Sequence, residues 1–96
     1  MLVETNVMAS WMLMEPLGPS LRTLSKQMPN GRTFSIQTVL KIGIQVIERL
    51  EVVHRIGFIH CDLKPDNLLI GNDPSCSGVI HLIDFGCAHK YLDDLN

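Results

Sequence analysis

The longest periodic pattern of apolar and polar residues runs from Ser35 to Gly57 and predicts one amphipathic helix. Ser35 is suited to cap its start, and Gly57 can end it because glycine readily adopts a left-handed conformation. At about 100° per residue, one stripe of the helix carries its polar side chains, which are Lys41, Gln45, Glu48, Arg49 and Arg55. Apolar residues fill an arc of roughly 200°, wider than the ~100° that a helix with one buried side needs. We therefore expect this helix to need cover from more than one side.

Short apolar runs on either side of the helix predict further elements. Residues 10–15 predict a strand that ends at Pro16, and Leu21 to Leu24 predict a short helical turn. After the helix, three more strands are predicted, at residues 58–60, 68–70 and 79–83. The connector GNDPSCSG consists of turn-forming residues, so the last two strands should pair as a hairpin. One long helix with short antiparallel strands indicates an α+β fold.

Two segments are expected to lack regular structure. One is the loop QMPNGRT, in which Pro29-Asn30-Gly31 has turn chemistry, and the other is the polar tail KYLDDLN. The chain has 96 residues and no internal repeat, so it should form one small domain at most.

Charge and hydropathy narrow the range of partners. The net charge is −2 and the lysines and arginines form no cluster, so neither nucleic acid nor an anionic membrane is an expected partner. No apolar run approaches the ~20 residues of a membrane helix. The first residues, MLVETNVMAS, lack the basic start and continuous apolar core of a signal peptide.

The cysteines predict a reducing environment. Cys61, Cys76 and Cys87 are odd in number and include no C-x-x-C pair, so we expect free thiols and a cytoplasmic or nuclear location. Cys87 and His89 could form half of a metal site, but no second half follows at zinc spacing.

Two polar clusters carry the candidate chemistry. The first is HCDLKPDN, residues 60–67, between the helix and the hairpin, and the second is DFG, residues 84–86, at the end of the hairpin. Asn67 and Asp84 stand at the ends of paired strands, so their oxygen atoms can converge. Oxygen ligands of this kind suit Mg²⁺, which binds to few protein groups together with substrate phosphates.

Two more residues of the first cluster extend this interpretation. Asp62 precedes Asn67 by five positions and is free to face a hydroxyl group rather than the metal. Lys64 can neutralise the charge of a phosphate, and Pro65 favours an extended backbone at Lys64. Positioning groups, a cation and a proton acceptor are the parts that phosphoryl transfer requires.

These clusters resemble known motifs. HCDLKPDN resembles the H-R-D-x-K-P-x-N catalytic loop of eukaryotic protein kinases, and DFG resembles their magnesium motif. The lysine two residues after Asp62 is similar to that of serine/threonine kinases rather than tyrosine kinases. From about Trp11 to Asp93 the chain resembles the casein kinase 1 family, in the segments MEPLGPSL, TVLKIGIQVIERLEVVH, FIHCDLKPDN and IDFGCAHKY.

The resemblance implies a partial protein-kinase-like α+β fold spanning residues 1–96. Within it, residues 10–18 would be the last strand of the N-lobe and the hinge, and residues 35–57 the central helix. The catalytic loop would occupy residues 58–71, and the last strand with DFG residues 79–86.

The resemblance also implies roles for individual residues. Asp62 would be the catalytic base, Lys64 would contact the transferred phosphoryl group, and Asn67 and Asp84 would hold magnesium. ATP would be bound by a gatekeeper at Met14, by the hinge backbone, and by the floor of the cleft. The hinge contacts would come from Glu15 and Leu17, and the floor from Leu69 and Ile83. The partner would be a protein substrate with serine or threonine.

The chain departs from the kinase pattern at several points. Cys61 replaces an arginine that pairs with an activation-loop phosphate in many kinases, so we do not expect activation of that kind. Thr23 stands where the family usually has an acidic residue. The sequence contains no glycine-rich phosphate loop, V-A-I-K lysine or helix-C glutamate, so we expect the chain alone to be inactive.

Other interpretations remain open from the residues themselves. The chain could be a piece of a longer casein-kinase-1-like protein, or a non-catalytic binding module or decayed remnant. Small-molecule phosphotransferases share an H-x-D-x-x-x-x-N loop, but Lys64-Pro65 and DFG argue against that class. Met14 and Leu17 could also be ordinary packing residues at a strand end. The remaining histidines are interpreted as structural or surface residues, and they are His54, His81 and His89.

Overall fold

One long helix and three two-stranded antiparallel sheets dominate the part of the chain that the structure describes. The structure is a computed structural model that describes residues 2–5, 10–29 and 33–92. Its elements in chain order are β1 (Leu2–Thr5), β2 (Ser10–Leu13), α1 (Leu21–Lys26), α2 (Ile36–Arg55), β3 (Phe58–Ile59), a 3-10 helix (Pro65–Asn67), β4 (Leu68–Ile70), β5 (Ile80–Leu82) and β6 (His89–Lys90). The predicted α+β class is confirmed.

The ends of α2 follow the predicted signals. The Ser35 side chain accepts a hydrogen bond of 3.2 Å from the backbone N–H of Thr38, which satisfies one of the free amides of the first turn. After the last helical residue the chain reverses at Gly57, whose φ of +93° lies in the region that favours glycine. The predicted helix is therefore confirmed.

The predicted hairpin forms between β4 and β5. Leu68 pairs with Leu82, Leu69 with His81, and Ile70 with Ile80. Its connector is held by local bonds, because the Asp73 side chain accepts hydrogen bonds from the hydroxyl and the backbone N–H of Ser75. These bonds, with the hydroxyl bond the stronger, lower the pKa of the exposed Asp73 carboxyl below its usual value.

The other two sheets contain strands that the sequence did not indicate. β2 is the predicted strand, and it pairs with β1, for which no prediction was made. β3 pairs with β6, where Phe58 lies opposite Lys90, and the N–H of Tyr91 bonds to the Gly57 carbonyl at 2.9 Å. The prediction of an irregular tail is wrong for Lys90, which lies in β6 and pairs with the open edge of β3. Residues 30–32 of the predicted loop turn and residues 93–96 of the tail lie outside the described residues.

A small core lies between α1, α2 and the hairpin. Its centre consists of the buried residues Leu21, Leu68 and Ile80. The partly buried residues around it are Leu24, Ile42, Val46, Ile70 and Leu82. Within the described ranges, no helix combines the length and apolar character needed to cross a bilayer.

Much of the apolar surface of α2 is exposed, as its wide apolar arc predicted. The exposed apolar residues of the helix include Ile36, Val39, Leu40, Ile44, Ile47 and Val52. A contiguous apolar surface of this kind promotes association in water. We therefore expect the isolated chain to self-associate.

The double variant I44E/I47K should convert the isolated chain from a self-associating species to a monomer. Ile44 and Ile47 are 60% and 68% exposed, so the free energy of unfolding should change by less than ~0.5 kcal/mol. Size-exclusion chromatography with light scattering measures the association. Asn72→Asp is the control, since it adds a negative charge at an exposed position of the hairpin connector rather than on α2, and it should leave association unchanged. A wild-type chain that is monomeric would contradict the expectation.

Candidate active site

The side chain of His60 connects the loop after β3 with the end of β5. Its ring is only 2% exposed, and Nε2 lies 2.8 Å from the carbonyl oxygen of Ile83. The backbone N–H of Asp62 donates to Nδ1 at 3.1 Å, so Nδ1 is an acceptor and Nε2 carries the proton that it donates to Ile83. The ring of Phe85 packs edge-on against it at 4.9 Å. His60 is therefore a buried histidine with both ring nitrogens hydrogen-bonded, and these bonds connect the two polar clusters.

Asn67 forms a second connection between the two clusters. It ends the 3-10 helix, is 5% exposed, and its Nδ2 donates to the carbonyl oxygen of Asp62 at 2.9 Å and to Asp62 Oδ2 at 3.1 Å. The backbone carbonyl oxygen of Asn67 accepts a hydrogen bond from the N–H of Ile83 at 3.0 Å. The side chain thus orients the Asp62 carboxylate, and the backbone holds the residue that precedes Asp84.

Asp84 begins the DFG segment in a left-handed conformation, with φ of +59°. Its side chain is exposed, and Oδ1 accepts from the N–H of Gly86 at 3.2 Å. Cys61, next to Asp62, has φ of +67°, and these two are the non-glycine residues with positive φ in the described ranges. Such conformations cost energy and often occur at functional sites, and here one lies within each of the two clusters.

Lys64 extends beside Asp62. Its Nζ lies 3.7 Å from Asp62 Oδ1, and both side chains keep part of their surface in solvent. An ion pair between Arg22 and Asp66, at 3.5 Å, also links α1 to this loop. An exposed ion pair contributes little to stability, so little is lost when it breaks. The side chains of Lys64 and Asp62 can therefore exchange this pair for contacts with a bound molecule.

A cleft of about 460 Å³ lies on one face of the hairpin, beneath the segment that follows β2. The residues that line it are Met14, Glu15, Leu17, His81, Leu82 and Ile83. Four of the five residues predicted to surround the nucleotide therefore meet in one cavity. Leu69 is not among its lining residues, although the pairing with His81 puts both on the same face of the hairpin. A larger, shallow cavity of about 580 Å³ between α2 and the tail lies away from both polar clusters.

His81 is a cleft residue that the sequence interpretation missed. It was taken as structural or surface, whereas its half-buried side chain lines the cleft two positions before Ile83. The available signal was the alternation of a strand, since residues two apart face the same side.

The oxygen donors at the site match a cation with few protein ligands. In the described part of the chain, no three histidine, cysteine or acidic side chains lie close enough together to hold a metal. The Asp84 carboxylate and the Asn67 carboxamide, joined through Ile83, provide two hard oxygen donors. Mg²⁺ with substrate phosphates requires no more than that from the protein.

A comparison with known proteins shows the family. The family model for the protein kinase domain matches residues 3–95. The chain belongs to the protein kinase domain family. It is also similar to a probable serine/threonine-protein kinase of Dictyostelium discoideum, with 41% identity over 83 residues, which are 86% of this chain and 17% of that protein. The chain thus spans about a sixth of the length of this relative.

Membership in the protein kinase family confirms the predicted partial kinase-like fold. The long helix α2, the loop that contains Asp62 and Asn67, and the hairpin that leads to Asp84 lie within the matched residues. The assignment of individual residues to ATP or magnesium remains a prediction.

Proposed function

We propose that this chain belongs to a serine/threonine protein kinase of casein kinase 1 type that transfers the γ-phosphoryl group of ATP to serine or threonine hydroxyls of proteins. The observation that carries the proposal is the chain of hydrogen bonds from Asp62 through Asn67 to Ile83, next to Asp84. The family match and the serine/threonine kinase relative support the activity. The segments quoted above that resemble casein kinase 1 support the finer assignment.

Asp62 is the proposed acceptor of the substrate proton. One carboxylate oxygen, Oδ2, accepts from the Asn67 amide, which leaves Oδ1 to face an incoming hydroxyl group. The Asn67 bonds fix the orientation of this carboxylate before substrate binds, and such preorganisation lowers the barrier for proton transfer. Lys64, beside Oδ1, would stabilise the charge of the phosphoryl group in transfer.

Asn67 and Asp84 are the proposed ligands of magnesium. Nδ2 of Asn67 is committed to Asp62, so the carboxamide presents Oδ1 as its metal donor. The exposed Asp84 contributes a carboxylate of which Oδ1 is held by Gly86. Bound magnesium would neutralise the phosphates of ATP.

The cleft beside the hairpin is the proposed ATP site. Met14, the backbone of Glu15 and Leu17, and Ile83 would surround the adenine, with Leu69 on the same hairpin face. Cys61, Cys76 and Cys87 are free thiols, which supports the proposed cytoplasmic or nuclear location. The proposed partner is a protein that presents serine or threonine, and casein is a suitable test substrate.

Nucleotide binding tests the proposal directly. The isolated chain should bind ATP more tightly with Mg²⁺ than without it, measured by titration calorimetry. Asp84→Asn should remove most of this magnesium dependence, because the carboxylate charge is lost. Asp73→Asn is the matched control, since an amide oxygen can still accept from Ser75 and the position lies in the hairpin connector. Absence of ATP binding, or magnesium dependence that survives Asp84→Asn, would contradict the proposal.

A non-catalytic binding module is the second candidate, favoured by the lack of a glycine-rich loop in this sequence. Transfer of radiolabelled phosphate from ATP to casein by the isolated chain would separate the two, because a binding module cannot catalyse it. We expect none from the isolated chain. Transfer that Asp62→Asn abolishes would show that these residues suffice for catalysis, and it would exclude the binding module.

A further inference from the structure

Among the residues that the structure describes, the strand that leads to Asp84 has a partner strand on one side only. β5 pairs with β4, and its other edge faces α2. On that edge lies Ile80, a residue that is only 4% exposed, so its N–H and C=O need partners inside the protein. Both partners are side chains of the long helix.

Gln45 acts on this edge as a peptide group would. Its Oε1 accepts from the N–H of Ile80 at 2.9 Å, and its Nε2 donates to the carbonyl oxygen of Gly78 at 2.9 Å. Arg49, one helical turn later, donates through Nε to the carbonyl oxygen of Ile80 at 3.0 Å. Two side chains of one helix therefore make three hydrogen bonds along the start of β5.

These bonds determine where β5 lies along its own axis. The strand has only three residues, and Asp84 follows two positions after its end. A shift of one residue along a strand moves the chain by about 3.3 Å and turns each side chain to the opposite face. Beyond the strand, both backbone groups of Ile83 are held, by Asn67 and by His60. The register at Ile80 is thus carried directly to the residue before Asp84.

We propose that Gln45 and Arg49 are positioning residues of the active site, which fix the register of β5 and so hold Asp84 beside Asn67. Neither side chain lines the ATP cleft, and neither is a predicted ligand of magnesium. The consequence for magnesium binding rests on the proposed function. The consequence for the position of Ile83 depends on the fold alone.

Hydrogen exchange of the full chain, followed by mass spectrometry at residue level, tests the positioning. Gln45→Met and Arg49→Met keep side chains of similar length but lose the hydrogen bonds. Exchange at the Ile80 and Ile83 amides should become about tenfold faster in both variants, while exchange within α2 stays unchanged. Gln37→Met, on an exposed part of the same helix, is the matched control and should change neither.

Two conservative variants separate positioning from general destabilisation. Arg49→Lys can still donate to the Ile80 carbonyl and should restore protection at Ile83. Gln45→Glu keeps an acceptor for the N–H of Ile80 and should retain the protection of this amide. It replaces Gln45→Met in the test if that variant does not fold. Unchanged exchange at Ile83, or an equal increase throughout α2, would overturn the proposal.

Magnesium-dependent ATP binding measures the consequence for the site. The affinity for ATP with Mg²⁺ should fall about tenfold in Gln45→Met and Arg49→Met, and the affinity without Mg²⁺ should not change. If the affinity for ATP fell equally with and without Mg²⁺, the proposed role toward Asp84 would be overturned. If the wild-type chain binds no ATP, the proposed function fails, and the exchange at Ile83 decides the positioning role by itself.

Discussion

Replacing Asn67 by aspartate should lower the free energy of unfolding by about 3–5 kcal/mol at neutral pH, a large part of the stability of a small domain. The carboxamide donates two hydrogen bonds to Asp62 from a position that is 5% exposed. A carboxylate there would donate none, and it would bring a buried negative charge against the Asp62 carboxylate.

Denaturant unfolding in the I44E/I47K background, followed by circular dichroism, measures this effect. Asn72→Asp makes the same chemical change at an exposed position of the hairpin connector and should cost less than ~0.5 kcal/mol. Asn67→Leu removes the donors without adding charge and should fall between the two variants. Equal stability of the Asn67→Asp and Asn72→Asp variants would show that Asn67 does not connect the two clusters as described.

Replacing His60 by leucine should lower the free energy of unfolding by about 2–4 kcal/mol. The substitution leaves the N–H of Asp62 and the carbonyl of Ile83 without their partner in a buried site. It also removes the imidazole ring that packs against Phe85, with 4.9 Å between the two ring centroids. The loop around Asp62 and the segment before Asp84 should therefore separate more easily.

The same unfolding experiment checks this expectation. His89→Leu, at an exposed position of β6, is the matched control and should have little effect. His60→Gln can still donate and accept, so it should recover part of the stability. A His60→Leu variant as stable as the His89→Leu variant would show that the ring does not hold the two clusters together.

The polar stripe of α2 shows which features of the helix the periodicity of about 3.6 residues predicts and which it does not. The pattern predicted that Gln45 and Arg49 share a stripe with Lys41 and Glu48, and it predicted an apolar arc too wide for the available cover. Both features exist, but the structure turns Gln45 and Arg49 toward β5 and leaves much of the apolar arc exposed. The unpaired edge of a buried strand needs hydrogen-bonding groups, and this need outweighs the usual preference for apolar residues at a helix contact.

The cleft shows a similar division. The resemblance identified four residues because each lies in a segment that resembles the kinase pattern, and they are Met14, Glu15, Leu17 and Ile83. The structure brings these four residues together in one cavity. His81 was missed because it lies outside the segments that resemble the kinase pattern, the nearest of which begins at Ile83. Its position depends on the pairing of β5 with β4.

The sequence by itself determined the local structure and the family motifs. The cap at Ser35, the turn at Gly57 and the hairpin of β4 and β5 depend on residues close together in the chain, and short-range preferences are sufficient for them. Only the tertiary structure decided that β6 pairs with β3, and that the side chains of Gln45 and Arg49 form hydrogen bonds with the backbone at the start of β5. These contacts join residues 31 to 35 positions apart, or two short strands without a periodic signal, so they arise only when the whole chain has packed.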